Sequence, residues 1–167
     1  MDESNHGRHP EIFVAVYSRF PQDIARHEKP LSKHRGRSSR LPQIGDREFR
    51  HILVLRERQE ILETEENIRV MVLAEFLKYF RGLELAIVDG DPKIREIDNL
   101  HRVIAPSECP HIIYTARADV TYPLVNHADS IANHLFRYYK RSTGKKKKYL
   151  SRLITPRIED YCALLEP

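Results

Sequence analysis

The chain has 167 residues, 41% of them apolar, which suits one domain of ordinary size with a real core. No apolar run approaches bilayer-spanning length, no internal repeat is visible, and the polar start with its acids and histidines does not read as a signal peptide. The net charge of +4 conceals two basic segments, 19–50 and 137–157, with nine Lys/Arg each, set in an otherwise acidic chain; this asymmetry points to a polyanion partner, nucleic acid before all, and to a cation-binding centre in the acidic remainder.

Residues 1–10 are polar and open without an apolar lead-in, so they predict a short first strand or none. Ile12–Tyr17 is an apolar, β-branched run that predicts a strand, stopped at Phe20-Pro21. Residues 21–47 hold three prolines, two glycines and the basic side chains of Lys29, Lys33, Arg35, Arg37 and Arg40. They predict a long loop with one short helical turn near Gln22–His27, and loops of that length are uncommon unless functional or disordered. Phe49–Leu55 resumes as a strand.

A helix follows, starting between Glu57 and Thr64 and ending at Arg81-Gly82, where glycine supplies a left-handed cap. Ile61, Ile68, Val72, Phe76 and Phe80 recur at helical spacing, with Met71, Leu73 and Leu77 widening the stripe, which predicts packing against a sheet. Leu83–Asp91 is a nearly continuous apolar run ending in two acids around Gly90, the pattern of a strand buried on both faces. Asp91 at an N-cap and Pro92 at the first helical position predict a short helix carrying Ile94, Ile97 and Leu100. His111–Ala116 reads as a strand. Tyr122-Pro123 opens a helix to about Tyr139, its buried face Leu124, Ala128, Ile131, Leu135 and Tyr138. Beyond lie a basic linker with Lys145, Lys146, Lys147 and Lys148 and a tail helix around Pro156–Leu165. This order predicts an α/β domain over 1–141, a mixed sheet flanked by helices with a basic loop insertion at 21–47, followed by a basic tail, 142–167.

Three acidic clusters stand at element ends: Asp2 and Glu3 near the start, Asp89 and Asp91 after the middle strand, and Asp129 early in the late helix. Carboxylates drawn from separate elements suit Mg2+ or Mn2+, which take oxygen ligands. Each acid also has a plain structural reading: Asp91 as a helix cap, Asp89 as part of an Asp-Gly turn, Asp129 as an acid favoured by the helix dipole. Asn126 and Asn133 share the Asp129 face at helical spacing. His127 and His134 on the same helix read as core or surface side chains rather than catalytic ones. Cys109 and Cys162 are far apart and form no metal-ligand spacing, which suits a reducing, cytoplasmic setting.

Asp2-Glu3-Ser4, Val88-Asp89-Gly90 and Ala128-Asp129-Ser130-Ile131-Ala132 together resemble the ribonuclease H-like superfold. More narrowly they resemble a group of uncharacterised members with Asp-Glu-Ser-Gly on the first strand and Ala-Asp-x-x-Ala on the last helix. Here Asn5 stands in place of the glycine. The resemblance implies a metal-dependent nuclease whose first acid sits on a central strand, with Asp2, Asp89 and Asp129 as catalytic metal ligands. Asp91, Glu63 and Glu66 are the candidates for a fourth acid. Lys33, Arg35, Arg37, Arg40 and Lys145–Lys148 would contact nucleic-acid phosphates. Two other readings stand beside it: the same fold as an inactive nucleic-acid or protein-binding module, and a phosphatase resembling the haloacid dehalogenase type, with Asp89 as nucleophile and Asp91 as general acid.

Overall fold

A computed structural model of the chain describes residues 1–4, 11–31, 47–54 and 65–141; at 2–4, 53–54, 65–67 and 138–141 it describes the backbone alone. The elements are strands β1 (Asp2–Ser4), β2 (Glu11–Tyr17) and β3 (Glu48–Val54), helix α1 (Glu65–Tyr79), strand β4 (Leu85–Asp89), helix α2 (Glu96–Val103), strand β5 (His111–Thr115) and helix α3 (Pro123–Arg141). The molecule is a mixed α/β structure with a three-stranded sheet, β1-β2-β3, and a two-stranded sheet, β4-β5.

β2 and β3 pair antiparallel along their whole length, from Glu11↔Val54 to Tyr17↔Glu48. β1 pairs antiparallel with the other edge of β2, Asp2 opposite Val14 and Ser4 opposite Ile12. β4 and β5 are parallel, Leu85 level with His111 and Asp89 with Thr115, so the chain needs the α2 crossover to bring them side by side. Met1 ties the two sheets together: its nitrogen donates to Ile87 O (2.6 Å) and its carbonyl accepts from Asp89 N (3.0 Å). One residue bonding to positions on both sides of Val88 is the pattern of a parallel pair.

Period-two alternation sorts the β2 side chains to two faces. Phe13 and Ala15 meet Ile52 and the α1 residues Ile68, Val72 and Phe76. Ile12 and Val14 meet Ala128, Ile131, Ala132 and Leu135 of α3. α1 is buried on a second side as well, where Val70, Leu73, Ala74 and Leu77 pack on Val88, Leu100 and Ile104. Its apolar stripe is therefore wider than a sheet-facing helix requires, because α2 covers it too. Each Ile, Leu or Phe so buried contributes roughly 1.5–3 kcal/mol. Ile87, on the opposite face of β4 from Val88, packs on Ala118 and Val125, so the middle strand is covered on both faces as its apolar run predicts.

Two boundaries differ from the sequence reading. α1 stops at Tyr79, although Gly82 does adopt the left-handed conformation, φ 72°. Asp91 is exposed and does not cap a helix: α2 begins at Glu96 after Arg95 in the left-handed region, φ 67°. The cause is Glu96. Its Oε2 takes the Lys93 N–H (2.9 Å), the donor that a cap at Asp91 would have served, and its side chain is fully buried beside Arg69. Ile94 and Ile97 are accordingly exposed, and Leu100 and Ile104 carry the burial. The loop residues beyond Leu31, the start of the helix preceding Glu65, and the basic linker and tail helix of 142–167 fall outside the described residues.

Candidate functional site

Asp89 is the last residue of β4 and is half-buried. It follows Ile87 at an interval of two, so it stands on the face covered by α3 and by the turn Ala118–Val120. Its Oδ1 accepts the Ala118 N–H, the first donor of that turn, and this fixes the carboxylate against the segment leading into α3. Gly90 beside it has φ 91°, a conformation costly for any other residue. Behind Gly90 stands Arg69 of α1, whose guanidinium would lie 3.7 Å from a side chain placed there.

Met1 places Asp2. With Met1 level with Val88, the next residue along β1 is level with the next along β4, so the Asp2 backbone stands beside that of Asp89 on a neighbouring strand. Asp2 is also the register partner of Val14, whose side chain packs on α3.

Asp129 comes from α3. That helix starts over β4, where Val125 meets Ile87, and runs on over β2, where Ala128 and Ala132 meet Ile12 and Val14. Asp129, one turn after Val125, lies where the helix passes between these contacts, and α3 touches β1 along this path. The Asp129 side chain is half-buried, and its Oδ1 accepts from Asn133 Nδ2 (2.7 Å), which also reaches the Asp129 carbonyl (2.9 Å). Asn133 thus serves Asp129 as the shared helix face predicts. Asn126 does not: it is buried and donates to the Asp119 carbonyl (2.8 Å), so its role is to hold the turn.

Asp2, Asp89 and Asp129 thus stand on β1, β4 and α3, three elements that contact one another. Asp91, two residues past Asp89, is exposed. Among the described residues no group of three or more His, Cys, Asp or Glu side chains could hold a metal ion, and the Asp2 side chain lies outside that set. Lys33, Arg35, Arg37, Arg40, Lys145, Lys146, Lys147, Lys148 and Glu63 also lie outside the described residues. The entry to the basic loop is described, and it docks next to the site. His27 N donates to Thr121 O (2.9 Å) and Leu31 N to Val120 O (2.8 Å), both in the turn that Asp89 holds.

Two charged groups near the site are not apparent from the sequence pattern. Arg69 and Glu96 form an ion pair (Nε to Oε2, 3.5 Å) with side chains 6% and 0% exposed. The only signal for Arg69 was its place between Ile68 and Val70 in a heavily apolar helix. Burial, reinforced by the negative charge of Glu96, pushes the Tyr114 hydroxyl well above its ordinary range. Further along, Arg47 makes two hydrogen bonds to Asp23, Nε to Oδ2 (3.0 Å) and Nη2 to Oδ1 (2.6 Å), and holds its carboxyl below the usual carboxylate value. This pair pins the turn Pro21–Ile24 to the start of β3. His51, buried on β3, has its pKa pushed down to about 4 by burial.

No helix among the described residues is long and apolar enough to cross a membrane. Comparison with protein-family models, with curated proteins and with solved structures returned no match.

Proposed function

We propose that the chain is a metal-dependent nuclease of ribonuclease H-like architecture, in which Asp2, Asp89 and Asp129 bind Mg2+ or Mn2+ and hydrolyse phosphodiester bonds of nucleic acid. The observation that carries this reading is the pair of backbone hydrogen bonds made by Met1. They link the start of β1, which pairs with β2, to β4 on either side of Val88, and so support a place for Asp2 near Asp89. The donor set fits the ion class: the three proposed ligands are all carboxylates, the hard oxygen donors that Mg2+ and Mn2+ take. Ala118 occupies Oδ1 of Asp89 and leaves Oδ2 for a cation. Bound divalent ions would polarise the scissile phosphate and lower the pKa of the attacking water.

Within this reading each side chain has a distinct task. Asp89 is oriented by the Ala118 N–H, and Asp129 by the Asn133 amide, so both carboxylates meet a cation in fixed rotamers. The loop entry at Ala25–Leu31 is held against Val120 and Thr121, and the basic residues of 33–40 follow it in the sequence. Their contacts to phosphates would be independent of base sequence and weaken steeply with salt.

The test is calorimetric titration of Mn2+ into the wild-type chain and into the Asp89→Asn/Asp129→Asn double variant, with hydrolysis of DNA and RNA measured alongside. Saturable binding lost in the double variant supports the reading. Equal binding in both proteins refutes it. A second reading, an inactive binding module, is favoured by the same Ala118 hydrogen bond, since it gives Asp89 a structural task that needs no metal. Nucleic-acid binding unchanged by metal or by the double substitution would establish that alternative. Phosphomonoester turnover that survives Asp129→Asn and disappears in Asp89→Asn would instead point to the phosphatase.

A further inference from the structure

Asp89 and Gly90 turn to opposite faces of the sheet. The Asp89 carboxylate meets the Ala118 N–H on the side covered by α3. Gly90 follows Val88 at an interval of two and, like it, faces α1, where Arg69 Nη1 lies 3.7 Å from the place a Cβ would take. A single peptide thus joins the proposed ligand to the residue that covers a buried cation. Arg69 is 5% exposed, and its charge is answered by Glu96, 3.5 Å away and fully buried. Glu96 Oε2 also takes the Lys93 N–H, and Gly90 N donates to Thr115 O (3.1 Å). The Tyr114 hydroxyl, on the strand beside β4, feels both charges.

A buried ion pair is seldom the most stabilising use of its space, since a packed apolar pair often does as well. What distinguishes this one is its place. It lies under the connection that leaves Asp89, with Gly90 against Arg69 and Lys93 bonded to Glu96. We propose that Arg69 is a positioning residue for Asp89: set beneath Gly90 and anchored by Glu96, it fixes the peptide after Asp89 and so the direction in which that carboxylate points. The guanidinium suits the task because it is planar, rigid and permanently charged, whereas an ammonium on a flexible stem is none of the first two. Its root suits it as well. α1 packs on β2 through Ile68, Val72 and Phe76 and on β4 through Val70, Leu73 and Leu77, so Arg69 ties the connection to the whole core. That Asp89 holds a cation rests on the nuclease reading; that Arg69 sets its place does not.

The test follows exchange of the Ala118 amide, the donor to Asp89, in the intact chain without metal, with the β2–β3 ladder amides as the measure of global opening. Arg69→Lys keeps the charge and loses the planar fork, and Arg69→Met/Glu96→Leu loses both charges and keeps the packing. In each variant Ala118 should exchange about tenfold faster while the ladder amides stay within about twofold of wild type. Where the wild type binds Mn2+, its affinity should fall by about ten- to a hundredfold in the same variants. Ala118 exchange unchanged in both variants overturns the proposal. Acceleration of the ladder amides by the same factor, or failure of both variants to fold, also overturns it, since Arg69 would then serve the core as a whole. Undiminished Mn2+ binding in a variant with a loosened Ala118 amide overturns it too. A loosened Ala118 amide in a chain whose wild type binds no Mn2+ supports the positioning role and refutes the nuclease reading alone.

Discussion

Glu96 and Asp89 are carboxylates at either end of the same β4–α2 connection, and their surroundings differ in kind. Glu96 is fully buried, accepts a backbone hydrogen bond from Lys93 and lies beside the guanidinium of Arg69. Asp89 is half-buried, and its hydrogen-bond partner is a neutral backbone N–H of Ala118. A neutral donor orients a carboxylate without cancelling its charge, whereas a buried counter-ion cancels the charge and locks the side chain into the fold. The two acids thus differ in how they are held: one lies buried against a counter-ion, and the other is oriented by a neutral donor at the end of its strand.

The sharpest way to break this contrast is at Glu96. Glu96→Leu removes the carboxylate beside a buried guanidinium and should cost about 3–5 kcal/mol in urea unfolding. The Arg69→Met/Glu96→Leu double variant should recover most of that loss, since a well-packed apolar pair often equals a buried ion pair. A double variant as unstable as the sum of its parts would show that Glu96 is not there chiefly to answer Arg69.

Next in size is a pH effect with no ligand role behind it. His51 has a folded pKa of about 4 against an ordinary value of 6.5, so the unfolded chain binds the extra proton first. Its contribution is fully present above pH 6.5 and is lost as pH falls toward 4, up to about 3 kcal/mol in all. Unfolding curves at pH 7.5 and pH 4.5 should differ by less in His51→Asn than in the wild type.

Asp89→Asn keeps an acceptor for Ala118 and should cost no more than about 1 kcal/mol of stability while weakening Mn2+ binding at least tenfold. Asp89→Ala should cost more, about 1–3 kcal/mol, because the Ala118 N–H loses its acceptor. If Asn and Ala were equally destabilising, the hydrogen bond would not be what holds the turn.

The smallest effect belongs to Asp23. Its folded pKa is lowered by the Arg47 hydrogen bonds, so its contribution is present above the ordinary carboxylate value and disappears as pH falls through the lowered one. Arg47→Met should remove about 1 kcal/mol or less of stability, with the difference from wild type shrinking in acid.

Strands β2 to β5 and helices α1 and α3 were legible because each carries an apolar run or stripe that its neighbours then bury, whereas of the stripe expected for α2 only Leu100 is buried. What was not legible depends on partners distant in sequence. Asp91-Pro92 has the form of a helix start, and it loses to Glu96 because Arg69, on another helix, draws that side chain inward. The Asp23–Arg47 pair spans a loop whose composition reads only as basic. β1 is the extreme case, since Asp, Glu and Ser are poor strand formers and their strand exists because β2 and Met1 hold it. The site candidates divide in the same way. Asp89 and Asp129 could be singled out by their place at element ends, but the Asn133 and Ala118 hydrogen bonds, and the level pairing of Asp2 with Asp89, needed three dimensions.

The bonds made by Met1 also bear on how the molecule comes apart. β2 and β3 form a hairpin-like unit under α3, and β4, α2 and β5 form a crossover unit around Val88 and Leu100. Within the described strands the backbone link between them is one residue wide, while α1 packs on both. Native-state hydrogen exchange should therefore resolve two cooperative units that share α1 and α3. Weakening the contact at Met1 should lower the opening free energy of the crossover unit toward that of a separate foldon, leaving the hairpin amides protected.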